Sequence, residues 1–238
     1  MKIENICSNI ITINEFEHRL KEQKFIQHWF PEYHYDDKLN PRQIQSLSGK
    51  FVIKQSLSNE LNINPGNIIF KYNSNGKPFL ELPDNSNYLI SISHTQKYAA
   101  ALMLKNNSNN VISCGYDIES INRFKPLVNN EVDWGENFIN IVFTKEEQAL
   151  FDGNIMHYAL AFSAKEAIYK TLNINAKSKD ISWHNIVIQD IDNSNCTIAV
   201  ILNNLAADTF HQLRAKEIIL NWKTLHNLNL TSVESIIF

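Results

Sequence analysis

The sequence has little of what marks a non-globular or secreted chain. Six glycines and six prolines among 238 residues are too few for a collagen-like or low-complexity protein. The three cysteines include no CxxC pair, which favours neither a disulfide framework nor a thiolate zinc site. No apolar run approaches the roughly 20 residues that span a bilayer, and the polar N-terminus is not typical of a signal peptide. We therefore expect a folded cytoplasmic chain with no membrane partner.

Excess charge of one sign is scarce as well. The formal net charge is −3 and the isoelectric point is near 6.2. A nucleic-acid-binding domain normally carries a strong excess of Lys and Arg on one face, so we expect no nucleic-acid partner. What the chain does have is 44% hydrophobic and 11% aromatic residues, enough for one large core or two smaller ones.

Helical and strand patterns occur twice along the chain. Apolar spacing predicts helices over residues 13–30, 41–57, 144–151 and 155–172. Alternating β-prone runs predict a hairpin over residues 68–82, and strands over 88–93, 98–104, 111–119, 186–189, 196–202, 218–222 and the C-terminus. Helices followed by antiparallel strands in both halves predict an α+β fold with two units, residues 1–110 and 111–238.

The first chemical motif is GYDIE, residues 115–119. Side chains alternate along a strand, so Asp117 and Glu119 should share one face. Adjacent carboxylates repel unless a cation lies between them or water screens them, and such oxygens suit Mg²⁺. A metal site and a solvated strand face both explain the pattern.

The second motif is FSAKEAIYK, residues 162–170, in the last of the predicted helices. Glu166 and Lys170 are four residues apart and should lie on one helical face. This spacing is also that of an ordinary helix-stabilising ion pair.

Two further motifs contain residues that could take part in binding. Ser93 and His94 end a predicted strand, where hydroxyl, backbone N–H and imidazolium groups donate well to phosphate. Lys77 places a cation just after the hairpin turn. A histidine satisfied within the fold and a solvated lysine are the ordinary alternatives.

The order of these motifs carries more information than any one of them. GKPFLEL, SISHTQKYAAAL, GYDIE, FTKEE and FSAKEAIYK follow one another at moderate spacing. This succession resembles the 4′-phosphopantetheinyl transferases of the Sfp type over residues 41–172, and FSAKEA is similar to the siderophore-synthesis branch. The resemblance implies a pseudo-twofold monomer of two similar α+β halves that binds coenzyme A between them. It also implies transfer of the 4′-phosphopantetheine arm to a serine of an apo acyl or peptidyl carrier protein, with release of adenosine 3′,5′-bisphosphate.

Carried over position by position, the resemblance assigns the catalytic half of the site. It implies that Asp117, Glu119 and Glu166 hold Mg²⁺. Lys170 would bind a phosphate oxygen near the transferred phosphorus, and Glu166, or a water that it positions, would take the serine proton. Asp117, Glu166 and Lys170 would then be the catalytic residues.

The resemblance also assigns coenzyme A contacts to the first half. Lys77, Ser93 and His94 would hold the nucleotide end and its phosphates. Arg42 is the nearest candidate for the 3′-phosphate contact, with Lys50 or Lys54 as alternatives.

Two departures and two competing functions accompany the resemblance. Phe162 stands where the family usually has Trp, and Arg42 lies a few residues from the position of the family's 3′-phosphate contact. Residues 122–136 lie where the family contacts its carrier, and we expect Phe124, Leu127 and Val128 to receive an amphipathic carrier helix. One alternative is a metal-dependent hydrolase of coenzyme A or a related nucleotide, which would use water as the acceptor. The other is a binding module without catalysis. The sequence does not distinguish carriers of fatty-acid, polyketide, nonribosomal-peptide or siderophore synthesis.

Overall fold

The chain forms two compact units, Met1–Ser108 and Asn109–Phe238. Our computed structural model describes residues 6–33, 39–106, 111–174, 182–225 and 228–238. Both units combine helices with antiparallel strands, so the predicted α+β class is confirmed. The boundary that we expect at residue 110 falls in 107–110, outside the described ranges. Among the helices in those ranges, none has the length and hydropathy of a membrane span.

The first unit contains a three-stranded antiparallel sheet, a separate hairpin and three helices. Its strands are β1 (Ile6–Thr12), β2 (Ile69–Tyr72), β3 (Pro78–Glu81), β4 (Tyr88–His94) and β5 (Tyr98–Lys105). Its helices are α1 (Ile13–Leu20), α2 (Gln23–Trp29) and α3 (Pro41–Leu61). The sheet order is β1-β5-β4, and β2 pairs with β3 as the predicted hairpin.

Local chemistry explains where the helices of the first unit begin and end. The Asn40 side chain accepts from the Gln43 backbone N–H, and Gln43 reaches back in a capping box that starts α3. The single helix predicted over residues 13–30 is instead two helices. Phe16 and Phe25 would lie on opposite faces of one straight helix, yet their ring centroids are 6.1 Å apart. The chain must therefore turn between them, which it does at Lys21 and Glu22.

The second unit is built on a five-stranded antiparallel sheet with the order β6-β10-β9-β8-β7. Its strands are β6 (Ser113–Ser120), β7 (Ile186–Asp192), β8 (Thr197–Leu202), β9 (Ile218–Leu225) and β10 (Leu230–Ile237). Its helices are α4 (Ile121–Val128), α5 (Gly135–Val142), α6 (Lys145–Phe151), α7 (Ile155–Leu172) and α8 (Asn204–Gln212). The two helices predicted over residues 144–151 and 155–172 are confirmed as α6 and α7.

Helix α7 lies directly against β6, and one glycine makes this approach possible. A Cβ atom at Gly115 would stand 2.0 Å from the Ala167 carbonyl oxygen and 2.3 Å from Thr171 Oγ1. Only hydrogen fits in that space. Thr171 Oγ1 in turn donates to the Ala167 carbonyl at 2.7 Å, which directs its hydroxyl along the helix. The glycine of the GYDIE motif thus sets how closely the acidic strand and the motif-bearing helix approach each other.

Candidate active site

The two acids of β6 lie on the strand face that α7 covers. In the ladder with β10, Asp117 is opposite Val233 and Glu119 is opposite Thr231, and Val233 belongs to the hydrophobic core of the second unit. Asp117 is only 4% exposed and Glu119 only 9%. The alternative of a solvated strand face is therefore wrong. Two carboxylates held out of water need partners.

Lys170 is the main partner of Asp117. Its Nζ donates to Asp117 Oδ1 at 2.7 Å and to the Tyr116 carbonyl at 3.1 Å. Its ammonium group therefore forms a salt bridge with a residue of β6. The spacing of Lys170 from Glu166 suggests only an ion pair along α7. Burial opposes its charge, but the negative charges of Asp117 and Glu166 outweigh burial and raise the pKa of Lys170.

Ser163 holds the other oxygen of Asp117. Its Oγ donates to Asp117 Oδ2 at 3.0 Å, in a fully buried position. Ser163 was not among the predicted site residues. The available signal was its position seven residues before Lys170, which places both on the same face of a helix.

Arg123 pairs with the second acid. Its Nη1 donates to Glu119 Oε1 at 2.7 Å. Sequence reasoning missed this contact because α4, which carries Arg123, was not among the predicted helices. The guanidinium also lies beside three aromatic rings, those of Phe124, Phe138 and Phe162, whose centroids are 5.1 to 5.9 Å from Arg123 Cζ.

The three acids act on one another through their charges. Burial, followed by the charge of Asp117, raises the pKa of Glu119 to about 7, although Arg123 opposes the rise. Burial and Asp117 also raise the pKa of the half-buried Glu166, against the lowering effects of Lys170 and Arg123. Because the charge of Asp117 affects both pKa values, Glu119 and Glu166 both lie within electrostatic reach of Asp117. The structure therefore brings together the four predicted residues of the catalytic half.

The donor chemistry of this group fits magnesium. Carboxylate oxygens are the hard ligands that Mg²⁺ takes, and a divalent cation would offset the burial and the repulsion that together raise the pKa of Glu119 and of Glu166. As the side chains stand, Asp117 is engaged by Lys170 and Ser163, and Glu119 by Arg123. Within the described ranges, no three His, Cys, Asp or Glu side chains are arranged as a formed metal site. Asp117, Glu119 and Glu166 as metal ligands therefore stay a prediction.

The residues predicted to contact coenzyme A lie on separate elements of the first unit. Arg42 is exposed in the first turn of α3, Ser93 is buried and His94 exposed at the end of β4, and Lys77 is half-buried beside the hairpin turn. Their roles stay predictions.

The two alternatives to Arg42 differ sharply in their surroundings. The Lys54 ammonium is buried and donates to the Trp29 carbonyl at 2.7 Å, so it is committed to the fold. Lys50 is mostly buried beside the rings of Tyr33, Phe70 and Tyr72.

The segment expected to receive a carrier helix buries two of the three predicted docking residues, and the third, Val128, is half-buried. Phe124 and Leu127 are fully buried in the core of the second unit, and Phe124 contacts Phe162 with centroids 5.6 Å apart. Residues 121–128 form the amphipathic helix α4, whose apolar face turns inward. The docking prediction for Phe124 and Leu127 is wrong because those side chains are needed to pack α4 on α7.

A buried ion pair fixes the helix that carries the site. Lys165 Nζ donates to Glu147 at 2.9 Å, to the Val142 carbonyl at 2.9 Å and to the Trp183 carbonyl at 3.1 Å. Glu147 Oε1 accepts from the Ile188 backbone N–H at 2.8 Å. Both charged side chains are fully buried. The FTKEE and FSAKEA motifs therefore meet in a structural contact that joins α6, α7 and β7.

Comparison with known proteins finds relatives that match parts of this chain. The holo-(acyl-carrier-protein) synthase of Roseiflexus sp. (strain RS-1) is 33% identical over 78 residues, which are 33% of this chain and 54% of the relative. The same enzyme from Dehalococcoides mccartyi (strain CBDB1) is 40% identical over 60 residues, 25% of this chain and 48% of the relative. The chain thus spans about half the length of the curated relatives it matches.

Solved structures that are similar to parts of this chain include two acyl carrier protein synthases. A holo-(acyl-carrier-protein) synthase from Helicobacter pylori, in complex with coenzyme A, has 19% identity and a TM-score of 0.41, covering 52% of this chain and 99% of that one. An acyl carrier protein synthase from Plasmodium yoelii with ADP bound has 23% identity and a TM-score of 0.43, covering 53% and 94%.

The family comparison falls on the second unit. The model of the 4′-phosphopantetheinyl transferase superfamily matches residues 113–225. That range contains the acidic strand, Arg123 and the whole of α7. The part of the chain that carries the candidate active site is thus similar to the 4′-phosphopantetheinyl transferase superfamily.

Proposed function

We propose that this protein is a magnesium-dependent 4′-phosphopantetheinyl transferase. It would move the phosphopantetheine arm of coenzyme A to a serine of an apo acyl or peptidyl carrier protein and release adenosine 3′,5′-bisphosphate. The observation that carries the proposal is the meeting of Asp117, Glu119, Glu166 and Lys170 between β6 and α7, inside the range that matches the superfamily model. Similarity to holo-(acyl-carrier-protein) synthases supports the choice of substrates.

Glu166 has the chemistry of a general base for this reaction. Its carboxylate lies on α7 within electrostatic reach of Asp117 and Lys170, and a carboxylate beside the acceptor serine can take the proton of its hydroxyl. The acceptor serine is a weak nucleophile, so removing its proton as it attacks phosphorus assists the transfer. Glu166 would take that proton directly or through a water.

Lys170 supplies positive charge where the phosphate oxygens would lie. Its salt bridge to Asp117 and hydrogen bond to the Tyr116 carbonyl hold the ammonium in place before substrate binds, and its side chain is still 29% exposed. Such preorganised charge is the main catalytic contribution in phosphoryl-type transfer. Asp117 therefore acts on the reaction partly by orienting Lys170.

Asp117, Glu119 and Glu166 are the residues that would hold Mg²⁺. When bound, the ion would neutralise charge on the diphosphate of coenzyme A and orient it. Before the ion binds, Ser163 would keep the Asp117 carboxylate oriented and Arg123 would keep that of Glu119 oriented, because each donates to its partner in the structure.

We also propose the Sfp-type arrangement, with the coenzyme A contacts of Lys77, Ser93, His94 and Arg42 on the first unit. Support comes from the order of the GKP and SISH motifs ahead of GYDIE. The siderophore branch, the pseudo-twofold relation and the monomeric state are part of this proposal. Size-exclusion chromatography with light scattering tests the last of them.

Mass spectrometry of a carrier protein tests the activity. An apo carrier incubated with the protein, coenzyme A and Mg²⁺ should gain the mass of one phosphopantetheine on its serine. A carrier in which that serine is Ala is the control and should gain nothing. Consumption of coenzyme A with no change in carrier mass would instead identify a hydrolase, and no consumption with any of several carriers would contradict the proposal.

A further inference from the structure

The Arg123 side chain is held on two sides at once. One side is the salt bridge from Nη1 to Glu119 Oε1 at 2.7 Å. The other is the Phe162 ring, whose centroid lies 5.1 Å from the guanidinium carbon, within the range of a favourable cation–π contact. The ring itself is fixed by Phe124, with centroids 5.6 Å apart, and by Trp183, at 5.2 Å. A long side chain that is 46% exposed is thereby confined to one position.

Successive residues of α7 therefore support the two strand acids by different routes. Phe162 holds Arg123, which holds Glu119, while Ser163 donates directly to Asp117 Oδ2 at 3.0 Å. A carboxylate that ligates a metal is usually oriented by such an outer hydrogen-bond partner, and losing the partner typically lowers metal affinity by 10- to 100-fold.

We infer that Arg123 is a positioning residue for the metal site, and that Phe162 acts through it to orient Glu119. This inference rests on the proposed function, because it assigns a task to Glu119 as a ligand. It gives the aromatic residue at position 162 a purpose beyond packing. Arg123 is suited to this role because a planar guanidinium can stack on a ring while donating to a carboxylate, which an ammonium does less well.

The direct test measures metal binding without the transfer reaction. Mn²⁺, as a paramagnetic substitute for Mg²⁺, is titrated into the full chain with coenzyme A present and no carrier protein, and free Mn²⁺ is followed by electron paramagnetic resonance. Arg123→Ala should weaken Mn²⁺ binding by about 10- to 100-fold, and Arg123→Lys should restore part of the loss. Lys125→Ala is the matched control, because it removes the same charge from an exposed position on α4 and should leave the affinity within twofold of the wild type.

A double-mutant cycle tests the role of the ring. Phe162→Leu keeps an apolar side chain and should weaken Mn²⁺ binding in the wild-type background. It should cause no further loss when Arg123 is already Ala, because the ring acts only through the guanidinium. Circular dichroism spectra of all variants confirm that the helical content is retained.

Several outcomes would overturn the inference. An Arg123→Ala variant that binds Mn²⁺ as well as the wild type would remove Arg123 from the site. Equal losses from Phe162→Leu in both backgrounds would show that the ring acts by packing alone. A wild-type chain that binds no Mn²⁺ would also end it. The carrier mass assay decides the proposed function separately, so transfer by the wild type with unaltered metal affinity in Arg123→Ala would refute only this inference.

Discussion

The buried pair of Lys165 and Glu147 allows a prediction whose size follows from the structure. Substituting Lys165 by Met removes an ammonium that donates to one carboxylate and to the carbonyls of Val142 and Trp183, while keeping a side chain of similar length. The Glu147 carboxylate would remain fully buried, and among the described residues it would keep only the Thr144 and Ile188 backbone N–H groups as donors. The variant therefore keeps a buried negative charge without its counter-ion.

Removing one partner of such a pair typically costs about 3 to 5 kcal/mol of unfolding free energy. For a chain of this size that loss should lower the thermal midpoint by roughly 6 to 20 °C. The Lys165→Met, Glu147→Gln double variant should lose less than the sum of its single variants, because the second change removes the uncompensated charge.

Thermal unfolding followed by circular dichroism measures these shifts. Lys145→Met is the control, because Lys145 is exposed on the neighbouring helix α6 and donates only to the Asn140 side chain at 2.8 Å. Its effect should stay within about 0.5 kcal/mol. A cost below about 1 kcal/mol for Lys165→Met, or full additivity in the double variant, would refute the reasoning that the pair anchors α7.

Three further predictions concern the acidic strand and its lysine. Asp117→Asn keeps the shape of the side chain but loses its charge, so carrier modification should fall by about 10² or more in turnover; an unchanged rate in the mass assay would contradict its role. Lys170→Ala should also lower turnover by about 10², and a loss of only a few-fold would reduce it to a structural partner of Asp117. In metal-free buffer, Glu119 of the folded protein stays protonated until the pH approaches its raised pKa of about 7. In the unfolded chain the same carboxyl group loses its proton near pH 4.5. The wild type should thus lose about 3 kcal/mol of stability relative to Glu119→Gln as the pH rises through this window, and parallel urea-unfolding profiles for the two proteins would be the contrary result.

The secondary structure that could be predicted was the part with strong periodicity or clear caps. Helix α7 starts after Asn154, whose side chain accepts from the backbone N–H groups of Met156 and His157, and it ends at Asn173 in a left-handed conformation, as expected for helix caps. The hairpin of β2 and β3 was likewise marked by its Gly76 turn, where φ is +83°. Such signals are local, so the sequence alone reveals them.

The elements that were missed have weak local signals. Helix α4 has Pro126 in its interior and only eight residues, and its apolar face is defined by contact with α7. Strand β1 forms by pairing with β5, which lies almost ninety residues later in the chain. In both cases tertiary contacts decide the structure, and intrinsic propensity is too weak to anticipate them.

The candidate site could be predicted as a set of residues but not as a set of partners. The spacing of Glu166 and Lys170 suggested a pair along one helix, whereas the Lys170 ammonium bonds to Asp117 on β6 at 2.7 Å. Strand alternation correctly placed Asp117 and Glu119 on one face, but which face is buried depends on where α7 packs. Long-range pairing of charges cannot be seen in periodicity.

One feature of α7 explains how the candidate site is assembled. Most of its side chains are buried, including the charged Lys165 and the hydroxyl of Ser163. Lys165 turns away from β6 toward Glu147, while Ser163, Glu166 and Lys170 follow one another at spacings of three and four on the side that faces β6. Gly115 allows the backbone of α7 to lie on the strand, and Ser163 and Lys170 of this polar stripe both donate to Asp117. The candidate site residues therefore lie on two elements whose separation is set by the absence of one Cβ, so a Gly115→Ala change would displace α7 from β6.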